Sequence, residues 1–138
     1  MRKQNGHNLG TSPSYEINGR HYNCPFELTI SVIVSKWKMK IIKALSETSQ
    51  IRYGELKRII PGAITHKMLI QSLRELENDG IIRRRAYPEI PPKVEYSLTS
   101  DGLRLNAVID AMSAFGRKYL VNGKSVVTTS NRLTQAYI

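Results

Sequence analysis

Lys67, Gln71, Arg74 and Asn78 recur at steps of four, three and four, a spacing that gathers polar side chains on one side of a helix. Their chemistry suits the edges of nucleic-acid bases: Lys and Arg donate to guanine or to phosphate, and Gln or Asn pairs with adenine. Thr65 and His66 stand at the start of that helix, where free backbone N–H groups favour a phosphate, and Ile70 on the flank suits a thymine methyl. The alternative is a solvated polar face. A second group, Arg83, Arg84, Arg85 and Lys93, is wholly cationic and suits phosphate neutralisation, again with a merely solvated face as its alternative. The single cysteine, Cys24, precedes Pro25, a residue suited to the first position of a helix. A sulfur at a helix N-terminus is favoured as thiolate, the reactive form, and His21, Lys36 and Lys38 add positive potential if the fold brings them close. The competing reading is an inert, partly buried thiol. With one cysteine, a switch would have to be an intersubunit disulfide, a mixed disulfide with a small thiol, or alkylation. His21 and Cys24 have a metal-like spacing without a second ligand pair, so neither a metal nor another cofactor is expected. No nucleophile with a base, paired acids or phosphate loop is recognisable, and His7, His21 and His66 are scattered; an enzyme is not expected.

Composition narrows the partner. The 138 residues carry 21 Lys+Arg against 11 Asp+Glu, a net charge of +10 that favours a polyanion. The length suits one domain with a modest core. No apolar run approaches the roughly 18 to 20 residues of a membrane span, and Met1 to Asn23 lacks the apolar core of a secretory signal. With a lone cysteine, these features lead to the expectation of a cytoplasmic protein that makes no membrane contact.

The elements that must hold these residues follow from periodicity. Residues 1–21, polar and with Gly6, Gly10, Pro13 and Gly19, are expected to form a flexible arm. Residues 22–120 are the expected domain, and 121–138 a tail that is frayed, a short strand, or packed on a partner. Phe26, Ile30, Ile33, Trp37, Ile41 and Leu45 recur at helical spacing, as one broken helix or two short ones. Tyr53, Leu56, Ile59 and Ile60 mark a short helix stopped by Pro61-Gly62. Thr65 then caps a helix with apolar Leu69, Leu73 and Leu76, ended by Asp79-Gly80. Ile81 to Ala86 and Val94 to Leu98 read as strands around the stiff Pro88 to Pro92 turn. Thr99 caps a last long helix with a stripe of Leu105, Val108, Met112, Phe115 and Tyr119.

Helix, turn, helix, strand, strand, helix is the order of a winged helix-turn-helix, mainly α with a small β-wing. In that arrangement the second helix of the motif enters the major groove and the basic ribbon meets the backbone or minor groove. The terminal stripe exceeds what so small a core can cover, so a homodimer is expected through Leu105, Val108, Met112, Phe115 and Tyr119, with Phe26 and Ile30 adding to the interface. Two-fold symmetry would set the reading helices about 34 Å apart on an inverted-repeat operator. RNA or protein binding by the same fold, and architectural DNA binding without sequence preference, stay as alternatives.

The chain also resembles the HxlR-type regulators, a branch of the MarR-like winged-helix proteins. The resemblance is carried by Cys24-Pro25, Lys36-Trp37-Lys38, Arg52-Tyr53-Gly54-Glu55-Leu56-Lys57, Ile60-Pro61-Gly62, Thr65-His66-Lys67-Met68-Leu69 and Leu73-Arg74-Glu75-Leu76-Glu77. It continues through Asp79-Gly80-Ile81-Ile82, Pro91-Pro92-Lys93-Val94-Glu95-Tyr96-Ser97-Leu98-Thr99 and Gly102 to near Tyr119. It implies a transcription regulator that dimerises through terminal helices and binds a roughly palindromic double-stranded DNA site. In some relatives a cysteine at the place of Cys24 senses oxidants or electrophiles, which implies an oxidant or small-molecule effector. His66 departs from the Gln common in the family, which alters any base contact that Gln makes.

Overall fold

The computed structural model describes residues 14–121. They fall into two units, one ending at Ser35 and the other beginning at Lys36. In the first unit, strands β1 (Tyr15–Ile17) and β2 (Arg20–Tyr22) pair antiparallel, Tyr15 opposite Tyr22. Asn18 and Gly19 between them both have positive φ, the backbone of a two-residue hairpin turn whose twist matches the strands. This corrects the expectation of a flexible arm for residues 15–21: the Asn-Gly turn supplies local order that a polar composition does not predict. The rest of the expected arm, residues 1–13, lies outside the described residues, as do residues 122–138 of the expected tail. Helix α1 (Pro25–Ile33) follows, with Pro25 at its start and Cys24 as N-cap.

The second unit begins with α2 (Lys38–Ser46), so the apolar periodicity from Phe26 to Leu45 is indeed divided between two helices. Ile41, Ile42 and Leu45 of α2 are almost wholly buried. A two-residue strand, β3 (Ile51–Arg52), leads directly into α3 (Tyr53–Ile59), which ends before Pro61 because a residue preceding proline is pushed out of the helical region. Thr65 caps α4 (His66–Asn78) by accepting the Met68 N–H at 3.2 Å. Leu69, Leu73 and Leu76 are buried on one face of α4, each contributing about 2 kcal/mol of apolar burial. At its end Gly80 takes φ +71°. From there the Gly80 N–H reaches the Glu77 carbonyl and the Ile81 N–H the Leu76 carbonyl, satisfying two orphan acceptors and turning the chain into the sheet.

Strands β4 (Ile82–Tyr87) and β5 (Lys93–Leu98) pair antiparallel with Arg84 opposite Tyr96, and β3 joins β5 to give the order β3-β5-β4. Only Ile82 of β4 is fully buried, so the rest of the ribbon projects from the core. The C-terminal helix is interrupted once: α5 (Ser100–Arg104), capped by Thr99, is separated from α6 (Asn106–Val121) by Leu105 alone. α2 is the centre of this unit, packing against α3, α4, α6 and β5. The architecture is mainly α with small antiparallel sheets: a winged helix-turn-helix with a long C-terminal helix, in which α3 and α4 form the motif and β4–β5 the wing.

Candidate nucleic-acid interface

α4 divides sharply by side. At about 100° per residue, His66, Ile70, Arg74, Lys67, Asn78 and Gln71 occupy a contiguous arc, and all but the half-buried Ile70 are exposed. The apolar face opposite anchors this arc, so its direction is set by the core. One residue is held from behind: Lys38 on α2, almost fully buried, forms a 2.7 Å ion pair with Glu75 of α4. Burying an ammonium costs several kcal/mol unless it is paired, so this contact fixes α4 against α2. The other Glu75 oxygen accepts from Gln71 Nε2 at 3.2 Å.

Between α4 and the wing lies a cleft of about 640 Å³, lined by Arg52, Arg74, Arg84 and Lys93 with Tyr53, Ile70, Glu77 and Tyr96. Arg52 and Tyr53 are contributed by the junction of β3 and α3, which the ladder between Ile51 and Tyr96 holds beside β5. Sequence reasoning missed both, because only the β3–β5 pairing brings them to α4 and the wing. Tyr53 hydroxyl shares a hydrogen bond with His66 Nδ1, and the two rings meet edge to face at 5.3 Å. Burial, and then the neighbouring Tyr96, holds the Tyr53 phenol above its ordinary range.

The wing cations are not equivalent. Arg83, Arg84 and Arg85 are exposed, and among the described residues none has a carboxylate partner. Arg85 lies over the Tyr87 ring. Lys93 differs: it forms a 2.9 Å ion pair with Glu95 and also sits over the Tyr87 ring, 4.7 Å from its centre. Lys93's hydrogen bond, and to a smaller extent that of the Tyr87 hydroxyl, outweighs desolvation and holds the Glu95 carboxyl below the ordinary carboxylate range. Lys93 thus organises the wing tip, with much of its charge already answered.

The other expected site residues are carried by α1 and by the C-terminal helix. Cys24 is exposed, and its Sγ accepts the Glu27 N–H at 3.4 Å, so the thiol itself caps α1. Lys38, which was to favour its thiolate, is engaged by Glu75. Phe26 is 73% and Ile30 37% exposed on α1. On α6, Met112, Phe115 and Tyr119 are exposed, Phe115 and Tyr119 stack at 5.9 Å, and Val108 is half-buried. Leu105, half-buried, stands at the break between α5 and α6. Ile109, which the stripe omitted, is buried on α6.

A family model described as HxlR-like helix-turn-helix matches residues 32–124, a span that contains the whole motif and wing. The chain belongs to the HxlR-like family. The HTH-type transcriptional regulator YdzF of Bacillus subtilis is 48% identical over 97 residues, 70% of this chain and 88% of YdzF. Among solved structures, the redox regulator HypR in its oxidised form is 40% identical with a TM-score of 0.62, covering 75% of this chain and 100% of HypR. The reduced transcriptional regulator YodB of B. subtilis is 36% identical with a TM-score of 0.64, covering 73% of this chain and 98% of YodB. The curated relatives it matches include HTH-type transcriptional regulators, and this chain is a member of a helix-turn-helix regulator family. Among the described residues no helix is long and apolar enough to cross a membrane.

Proposed function

We propose that this HxlR-like regulator binds double-stranded DNA in a sequence-specific manner as a homodimer on an inverted repeat. The observation that carries the reading is the exposed polar arc of α4 beside a cleft bounded by Arg52, Arg74 and Arg84. In this reading Lys67, Gln71 and Arg74 address base edges, with Ile70 and Asn78 at the margins, while the capped start of α4 and Arg83, Arg84 and Arg85 hold phosphates. The exposed aromatic pair of α6, with Met112, supplies the surface for a second copy. The test is a fluorescence-anisotropy titration of the reduced protein against the duplex upstream of its own gene and a scrambled duplex, at two salt concentrations. Preference for the upstream duplex with affinity falling steeply in salt supports the reading. Equal, salt-steep binding to both points to architectural binding, and failure on both to an RNA or protein partner.

A second reading concerns Cys24. Its exposure and its place as N-cap of α1 suit an accessible thiol at a helix N-terminus, and HypR is named a redox regulator while YodB has been solved both reduced and after diamide treatment. We infer that oxidation of Cys24 regulates DNA binding. Cys24 and a second thiol, that of the partner subunit's Cys24 or of a small thiol, surrender two electrons and two protons as the S–S bond forms, and diamide takes them up as its N=N bond becomes a hydrazine. Diamide should then change the DNA affinity of the wild type and leave Cys24→Ser unaffected; an equal response of the two rules the thiol out.

A further inference from the structure

Resting on the DNA-reading role of α4, we propose that Tyr53 is a positioning residue for base recognition: it fixes the tautomer of His66, which then presents an Nε2–H donor to a guanine edge. The geometry is that of one pair, of which Tyr53 lines the cleft. Tyr53 opens α3 and His66 opens α4, thirteen residues later, and the hydroxyl of one meets Nδ1 of the other. Two arrangements satisfy this bond: the phenol donates to Nδ1, or Nδ1–H donates to the phenol. A neutral imidazole carries one proton, so the choice at Nδ1 decides what Nε2 offers. The Tyr53 phenol keeps its proton, being desolvated and beside Tyr96. A phenol is a good donor and a poor acceptor, whereas an unprotonated imidazole nitrogen is a strong acceptor, so the hydroxyl donates. Nδ1 is then occupied and the ring proton sits on Nε2, the nitrogen turned away from Tyr53.

The edge-to-face ring contact, with planes 75° apart, holds the imidazole's orientation as well as its proton. His66 is exposed and begins the same arc that carries Ile70, Arg74 and Lys67. A donor at that place suits the adjacent O6 and N7 acceptors of guanine and is opposed by the amino group of cytosine. The opposite tautomer would offer an acceptor and reverse that preference. Tyr53 therefore sets the sense of the contact without touching the DNA itself.

The test joins a spectrum to a binding panel, both on the full chain. Long-range proton–nitrogen correlation of uniformly ¹⁵N-labelled protein at about pH 8, where imidazoles are mostly neutral, should show His66 with a bare Nδ1 and a protonated Nε2. His66→Gln assigns its signals, and Tyr53→Phe, which keeps the ring and removes only the hydroxyl, should give a mixed tautomer. In the panel every operator position is replaced by each base pair in turn. His66→Gln and Tyr53→Phe should both flatten one and the same guanine preference in each half-site from about tenfold to within about twofold, leaving the preference assigned to Arg74 intact. A proton on Nδ1 in the wild type, an unchanged spectrum in Tyr53→Phe, or a loss of affinity uniform across the panel overturns the proposal. A wild type with no base preference at all overturns the DNA-reading role on which it rests, while the spectrum still reports the Tyr53–His66 pair on its own.

Discussion

Gly102 gives the sharpest energetic test of how the wing is attached. A Cβ placed there would lie 2.2 Å from the Ile81 carbonyl oxygen, against about 3.3 Å for an ordinary close C···O contact, so roughly an ångström must be yielded by backbone. That carbonyl accepts the Thr99 N–H at 3.0 Å and lies 3.0 Å from the Thr99 hydroxyl, whose shorter bond, 2.6 Å, runs to the Gly80 carbonyl. Gly102→Ala therefore strains or breaks the junction that ties the end of β5 to the entry of β4. Overpacking costs about 1–3 kcal/mol and an unmade buried hydrogen bond about 1–3 kcal/mol; the better helix propensity of Ala returns only about 1 kcal/mol. The net expectation is a loss of about 3 kcal/mol. Gly54 is the internal control: it lies in α3 with nothing within 4 Å of an added Cβ, so Gly54→Ala should gain up to about 1 kcal/mol. Urea titrations followed by far-UV circular dichroism, all at one protein concentration, read both signs. With slopes of about 1–3 kcal/mol/M, Gly102→Ala should lower the midpoint by a molar or more. A Gly102→Ala midpoint at or above that of the wild type would refute the argument, showing that the Ile81 carbonyl moves without cost.

Four further expectations concern the interface and the dimer. Arg74→Ala should relax base preference at one position per half-site, whereas Arg84→Ala should weaken all sequences alike and lower the salt slope by about one; identical behaviour would contradict the division between helix and wing. Lys93→Ala should change that slope less than Arg84→Ala, because the Lys93 ammonium is held by Glu95 and not by a phosphate. The Glu95 carboxyl, followed by its side-chain ¹³C shift, should titrate below the ordinary glutamate range. Its depressed folded value means that any stability from the Lys93 pair is fully present above that range and is lost only as pH falls through the folded value; a midpoint at or above the free value would contradict this. Phe115→Glu, at a 71% exposed position, should leave folding intact and shift sedimentation from dimer to monomer. A wild type that sediments as a monomer would remove the dimer from the proposal.

The helices were legible because their signals are local. Thr65 and Thr99 cap α4 and α5 through their own side chains, Gly80 closes α4, and the leucine spacing of α4 sets its buried face. The β1–β2 hairpin was equally local, since Asn18-Gly19 between Tyr15-Glu16-Ile17 and Arg20-His21-Tyr22 is a strong turn signal; the surrounding polar composition concealed it. What periodicity did not reveal depends on pairings distant in sequence. The two-residue β3 exists only because β5 offers it an edge, and with it come Arg52 and Tyr53 into the cleft. The sequence marked Lys93 as a wing cation by its charge, but its cross-strand neighbours decide how much of that charge is available. The same holds for the C-terminal helix, where the stripe was read as continuous and the chain inserts a break at Leu105.

Glu75 has a consequence for α4 in its proposed role of reading bases. One of its oxygens holds the buried Lys38 and the other restrains Gln71, so Gln71 is already bonded before any base is offered. Binding an adenine with Gln71 is an exchange of partners, and a base that returns less than the carboxylate gives leaves the side chain where it was. In the proposed DNA-reading role the core would thus set a threshold for the surface: a poor half-site would meet a glutamine still turned toward Glu75, and only a base able to accept and donate together would draw it out. Discrimination at that position is then measured from an occupied state, which favours rejection of near matches over tight binding of any one.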